Sequence, residues 1–256
     1  MKWAWAIAFW GWTVCAPAMA GTVRLSTEDG KSLVGQSYGS GEKAVLLVHG
    51  NGRSAADWEA FGTRLGENGF RVLAVDLRGH GASKGAAASL TPEDYLAMEQ
   101  DVLAGAGWLS RQGAKSISVV GTDLGANLAL EAAAVSEIIN KVVLISPGLN
   151  VEGVKVSGPL GAFKGPLLVV ANGGNLAGAK TATLISDKSA GDATLEVVKA
   201  DGDGYQLVNT APALDVMLVG WLNGTDGDPS VRAERNLDAA NVEEIETTGV
   251  RYEDRN

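Results

Sequence analysis

The chain has 256 residues, 21 lysines and arginines against 30 aspartates and glutamates, and a formal net charge of −9. A body this acidic excludes the basic surface needed to grip nucleic acid or an anionic membrane. The one cysteine, Cys15, lies in a segment expected to be removed, so disulfides, thiol nucleophiles and cysteine-ligated metals drop out too.

Residues 1–20 read as an export signal. Lys2 supplies the positive start, residues 3–14 form an apolar run too short to span a bilayer comfortably, and Ala18-Met19-Ala20 has the small-x-small pattern of a cleavage site. An uncleaved N-terminal anchor is the competing reading. The expected mature chain begins at Gly21, has no membrane span and is secreted or periplasmic. It keeps 20 basic and 30 acidic side chains, and is long enough for one sizeable core.

Beyond the signal, apolar β-rich runs alternate with helical patterns, as in a mostly parallel sheet covered on both faces. Short strands are expected at 23–26 and 32–38 around Glu28-Asp29-Gly30, and a buried strand at 44–48. Ser54 then reads as a helix cap with Asp57 in the capping-box position, and Trp58, Phe61 and Leu65 share one face. A strand at 70–75 follows. Thr91-Pro92-Glu93-Asp94 opens a helix whose apolar stripe runs through Tyr95, Met98, Val102 and Leu109. A strand at 116–120 leads through Gly121 into a helix at 124–135. Central strands are expected at 141–145 and 167–170, a last strand at 195–199 and a closing helix at 205–222. Trp58, Trp108 and Trp221 lie on helical stripes and read as core. Residues 224–256 hold nine acids and four arginines and lose apolar periodicity; a flexible tail is expected, or a short strand near 242–245 or 250–252.

Three segments, taken in order, resemble the α/β-hydrolase family. Val45-Leu46-Leu47-Val48-His49-Gly50-Asn51-Gly52 is similar to the strand and His-Gly loop that supply half of its oxyanion hole. Asp76-Leu77-Arg78-Gly79-His80-Gly81-Ala82-Ser83 resembles its Asp-x-Arg-Gly-His-Gly-x-Ser loop. Gly121-Thr122-Asp123-Leu124-Gly125 stands where the family has Gly-x-Ser-x-Gly. The resemblance covers roughly residues 40–222. It implies an α/β-hydrolase fold with helices on both faces of the sheet and, with only about twenty residues between 146 and 166, little or no lid. Leu149, Val151, Leu160 and Phe163 from that segment can touch the cleft mouth or pack on the sheet edge.

In such an elbow the side chain at 123 projects into a cleft, and the N–H groups of Asn51 and Leu124 converge on the same spot at a helix N-terminus. Here that side chain is a carboxylate. Asp123 is either a plain N-cap or an aspartate nucleophile like those of haloalkane dehalogenases and epoxide hydrolases. An aspartate enzyme needs a base to activate water against the covalent ester. The resemblance places His49 and His80 in structural positions, and where the family's histidine stands the chain reads Ala200-Asp201-Gly202-Asp203-Gly204-Tyr205. Asp203 takes the histidine's place, and Asn175 the place of the orienting acid.

All three triad positions, Asp123, Asp203 and Asn175, therefore depart from the pattern. The expectation is an exported scaffold that has become a non-catalytic binding or structural module, with a small molecule in the cleft and no cofactor or metal. The alternative is an active ester, haloalkane or epoxide hydrolase using Asp123, with Asp203 as an unusual base. A third reading places a hard cation between the two aspartates. Nothing in the sequence names a protein partner.

Overall fold

The computed structural model describes residues 21–83 and 90–225; the export signal and all but the first two residues of the acidic tail, with its alternative strands, lie outside them. Eight strands form one sheet in the order β1-β2-β4-β3-β5-β6-β9-β10. They are β1 (Gly21–Ser26), β2 (Ser32–Tyr38), β3 (Lys43–Val48), β4 (Arg71–Val75), β5 (Ser116–Thr122), β6 (Ile139–Ile145), β9 (Leu167–Asn172) and β10 (Ala193–Val198). The β1–β2 and β2–β4 pairs are antiparallel and the rest are parallel. Parallel strands buried on both faces need apolar side chains at consecutive positions, which is why Val45 to Val48 carry no polar group.

The pleat of β3 divides the core. Leu46 and Val48 face a layer built by α3 (Glu99–Arg111), α4 (Leu124–Val135) and α6 (Leu176–Lys188); Val45 and Leu47 face α1 (Glu59–Glu67), α7 (Tyr205–Thr210) and α8 (Pro212–Asn223). Each fully buried leucine of this strand contributes about 1.5–3 kcal/mol by leaving water. Two short strands, β7 (Asn150–Val151) and β8 (Val154–Lys155), make a hairpin followed by α5 (Ser157–Ala162). The buried Asn127 of α4 ties this small cap down: its Nδ2 donates to the Val154 carbonyl at 2.9 Å and its Oδ1 accepts from the Gly148 N–H at 3.3 Å.

The structure departs from the expected elements in four places. The helix expected from Thr91 has the capping box with Asp94, but it breaks at Met98 into α2 (Pro92–Ala97) and α3. The helix expected over 205–222 is interrupted at Ala211, because Pro212 has no N–H to continue the ladder and starts α8 afresh. Ser54 precedes a 3-10 turn rather than an α-helix and makes no side-chain cap bond; Asp57 is held by Arg53 in a two-point ion pair instead. The whole of α6 was missing from the elements expected from sequence. Its stretch of small residues has only Ala182 and Ile185 buried, too weak a stripe to stand out.

One polar cluster lies deep in the fold. Arg78 donates through Nε and Nη2 to Oδ1 of the fully buried Asp101, and its N–H donates to Asp101 Oδ2 at 2.7 Å. The other edge of the guanidinium grips Asp29 at 2.6 and 3.1 Å, and this bond first of all holds the Asp29 carboxyl at about 2. Asp76 is equally committed, accepting from the N–H groups of Ala55 and Ala82.

A half-buried acid on α4 gives a pH-dependent prediction. Burial, together with repulsion from Glu99 of α3, pushes the Glu131 carboxyl on α4 from 4.5 up to about 7. The folded state then holds a proton that the unfolded state has lost, so this stability is complete below pH 4.5 and vanishes as pH rises through about 7. Glu131→Gln should raise Tm at pH 8 by roughly 2–4 °C, corresponding to about 1 kcal/mol once solvent screening of a half-buried group is allowed for. No gain is expected at pH 4, and equal shifts at both pH values would contradict the assignment.

Candidate functional site

Strand β5 turns into α4 through one strained residue. Asp123 has φ 51° and ψ −119°, a left-handed region that disfavours any side chain. The turn closes only because its flanks are glycine. A Cβ on Gly121 would lie 2.1 Å from the Gly125 carbonyl oxygen, and one on Gly125 would lie 2.4 Å from that of His49. Such tightness throws the Asp123 side chain outward, at the carboxyl ends of the parallel strands.

Although Asp123 occupies the N-cap position of α4, its side chain makes no cap bond. Its Oδ2 instead accepts the Asn51 N–H at 3.1 Å. Gly50 lets the loop come this close, since a Cβ there would sit 3.1 Å from that of Asp123. The N–H of Leu124, the first residue of α4, has no partner within the helix by construction. The Asn51 side chain is spoken for: Nδ2 donates to Glu152 Oε1 of the hairpin at 2.9 Å, and Oδ1 accepts from the Tyr95 hydroxyl at 3.4 Å.

Both histidines of the chain are buried and fully bonded. His49 donates from Nδ1 to the Gly50 carbonyl at 2.8 Å and accepts at Nε2 from the Leu77 N–H at 3.0 Å. Burial pushes it down to about 4, so it stays neutral. His80 donates from Nδ1 to the Arg78 carbonyl and accepts at Nε2 from the Gly52 N–H at 3.1 Å. The two rings brace the loops after β3 and β4, with centroids 5.1 Å apart. Neither bonds to Asp123.

The loops after β9 and β10 bring Asn175 and Asp203 together. Asn175 Nδ2 donates to Asp203 Oδ2 at 2.8 Å, while its Oδ1 caps α6 by accepting the Gly178 N–H at 3.0 Å. Asn172 clamps the same two loops, donating to the carbonyls of Ala200 and Gly202 and accepting from the Gly174 N–H. From β6, Ser146 Oγ accepts the Gly204 N–H at 2.9 Å.

Asn51, Asp123, Asn175 and Asp203 all line one cleft of about 390 Å³. Ser146, Arg53 and Tyr205 also line it and are not among the residues expected from sequence. Arg53 lies 3.9 Å above the Tyr205 ring while its ion pair with Asp57 continues. Only the folding of the loop after β3 against the start of α7 makes that stack, and no local pattern announces it. The two aspartates share the cleft, but each is bonded to its own amide. Among the described residues no group of three or more His, Cys, Asp or Glu side chains is arranged to hold a metal ion. Of the residues considered for the cleft mouth, Leu160 and Phe163 are buried in the core, Val151 packs against it and Leu149 is exposed.

Comparison with known proteins agrees with this fold. The profile of the Alpha/beta hydrolase family matches residues 45–254. A carboxylesterase of Bacillus subtilis (strain 168) is 33% identical over 95 residues, which are 37% of this chain and 37% of that protein. The chain spans about a third of the length of the curated relatives it matches. The esterase Pf2001 of Pyrococcus furiosus superposes with a TM-score of 0.65 at 20% identity, over 80% of this chain and 89% of that one. Dienelactone hydrolase from Anabaena variabilis gives 0.67 at 18%, over 81% and 98%. At such identities the superpositions speak for the fold.

Proposed function

Since the chain belongs to the alpha/beta hydrolase family, we propose that it is an exported member in which the Ser-His-acid machinery has been replaced and the cleft serves for binding. One observation carries this reading. Every ring nitrogen of the only two histidines is bonded to backbone, so no imidazole is free to activate water at Asp123. An ester formed on Asp123 would persist, because a bound carboxylate ester needs a base to deliver water. Where an acid would orient a histidine, Asn175 donates to Asp203, which reverses the polarity of that bond. The apolar run and the Ala18-Met19-Ala20 site support export, with a mature N-terminus at Gly21.

A second reading has its own support. The Asp123 carboxylate faces the cleft rather than capping its helix, which is where a nucleophile would stand. In that case Asp203 serves as the base. The two readings part on one assay of the purified mature protein with p-nitrophenyl acyl esters, haloalkanes and epoxides, with Asp123→Asn as control. No turnover above the buffer rate is the expected result. Turnover that disappears in Asp123→Asn would overturn the binding reading.

A further inference from the structure

We infer that the cleft takes a small organic ammonium ion and turns away the carboxylates and acyl oxyanions that an oxyanion elbow ordinarily favours. This rests on reading the cleft as a binding site and adds the chemistry of its ligand. An elbow binds negative oxygen because two backbone N–H groups and a helix N-terminus face an empty position. Here an oxygen of the chain itself already takes one of those donors: Asp123 Oδ2 accepts the Asn51 N–H at 3.1 Å, and the carboxylate stands at the start of α4. An incoming anion would have to displace it and then remain beside it, which Coulomb repulsion opposes.

The rest of the wall has the same sign. Asp203 uses Oδ2 for the Asn175 amide, and among the described residues nothing donates to the second oxygen of either aspartate. Among the described residues the one cationic side chain lining the cleft, Arg53, is already neutralised by the two-point pair with Asp57 and stacked on Tyr205. That stack is itself a cation seated on the aromatic wall of this cleft, 3.9 Å from the ring centroid. Each of the two carboxylates in the cleft keeps an oxygen without a donor, an acceptor for the N–H groups of an alkylammonium. A volume of about 390 Å³ leaves room for a body of a few carbon atoms.

The test is a calorimetric or ligand-observed NMR titration of the mature chain with three isosteric probes: n-butylammonium chloride, n-butanol and sodium butyrate. Butylammonium should bind saturably, at least about tenfold more tightly than butyrate or butanol, and more weakly as salt rises. Asp203→Asn, on an exposed loop, should weaken butylammonium about tenfold and leave Tm in place; Asp123→Asn should do the same. Asp123→Ala should free the Asn51 N–H and bring the butyrate affinity up to or above that of butylammonium. Butyrate binding the wild-type chain as well as butylammonium, binding indifferent to both aspartates, or no saturable binding would each overturn the inference. Because no product is formed in this experiment, its failure is distinct from discovery of turnover in the ester, haloalkane and epoxide assay.

Discussion

Arg78→Met should lower the stability of the folded chain by about 3–5 kcal/mol, the usual consequence of removing one partner from a buried ion pair. Chemical denaturation checks the value, and for a domain of this size Tm should fall by roughly 6–20 °C. The change in side-chain volume is modest; the effect comes from what stays behind. Asp101 is fully buried and depends on Arg78 for three of its bonds, one through the backbone. Burial already raises the Asp101 carboxyl against the opposing pull of Arg78. Without the guanidinium it must take a proton or remain an unpaired charge. Adding Asp101→Asn to the Arg78→Met background should therefore recover part of the loss, since an amide carries no charge to strand. If the double variant is as unstable as the sum of the singles, the mechanism is wrong.

The second large effect is a gain. Asp123→Ser, Asp203→His and Asn175→Asp combined should raise p-nitrophenyl acetate hydrolysis over the wild-type chain by on the order of 10²-fold, the lower end of what a positioned base supplies. The geometry behind this is already in place. Position 123 sits at the strained elbow facing the Asn51 N–H, and positions 175 and 203 are within 2.8 Å of each other across two loops clamped by Asn172. Asp123→Ser alone should give almost nothing, because His49 and His80 are bonded elsewhere and cannot assist. Equal activity in the single and triple variants would mean that 203 does not reach the elbow.

Much of this was legible in the linear chain. The consecutive apolar residues of β3, β6 and β9 announce strands buried on both faces, and the glycines at 121 and 125 announce a turn too tight for a Cβ. The absence of a serine at 123 and of a histidine near 203 is plain from the letters alone. The four departures, at Ser54, Met98, α6 and Ala211, share a cause. Each is a place where the local signal is weak or ambiguous, and where packing on the sheet or a missing N–H decides the outcome.

By itself the sequence determined the architecture, the place of the tight turn at 121–125 and which side chains stand there, because these depend on periodicity, on glycine and on residue identity. Tertiary structure alone decided where each polar side chain points. Asp123 had a helix of its own to cap, and turned instead to an amide 72 residues away in the chain. Asn175 and Asp203 pair across 28 residues, and Arg53 finds Tyr205 only when two distant loops meet. A side-chain hydrogen bond selects among the donors that folding brings within about 3 Å, and that set is invisible until the sheet has assembled.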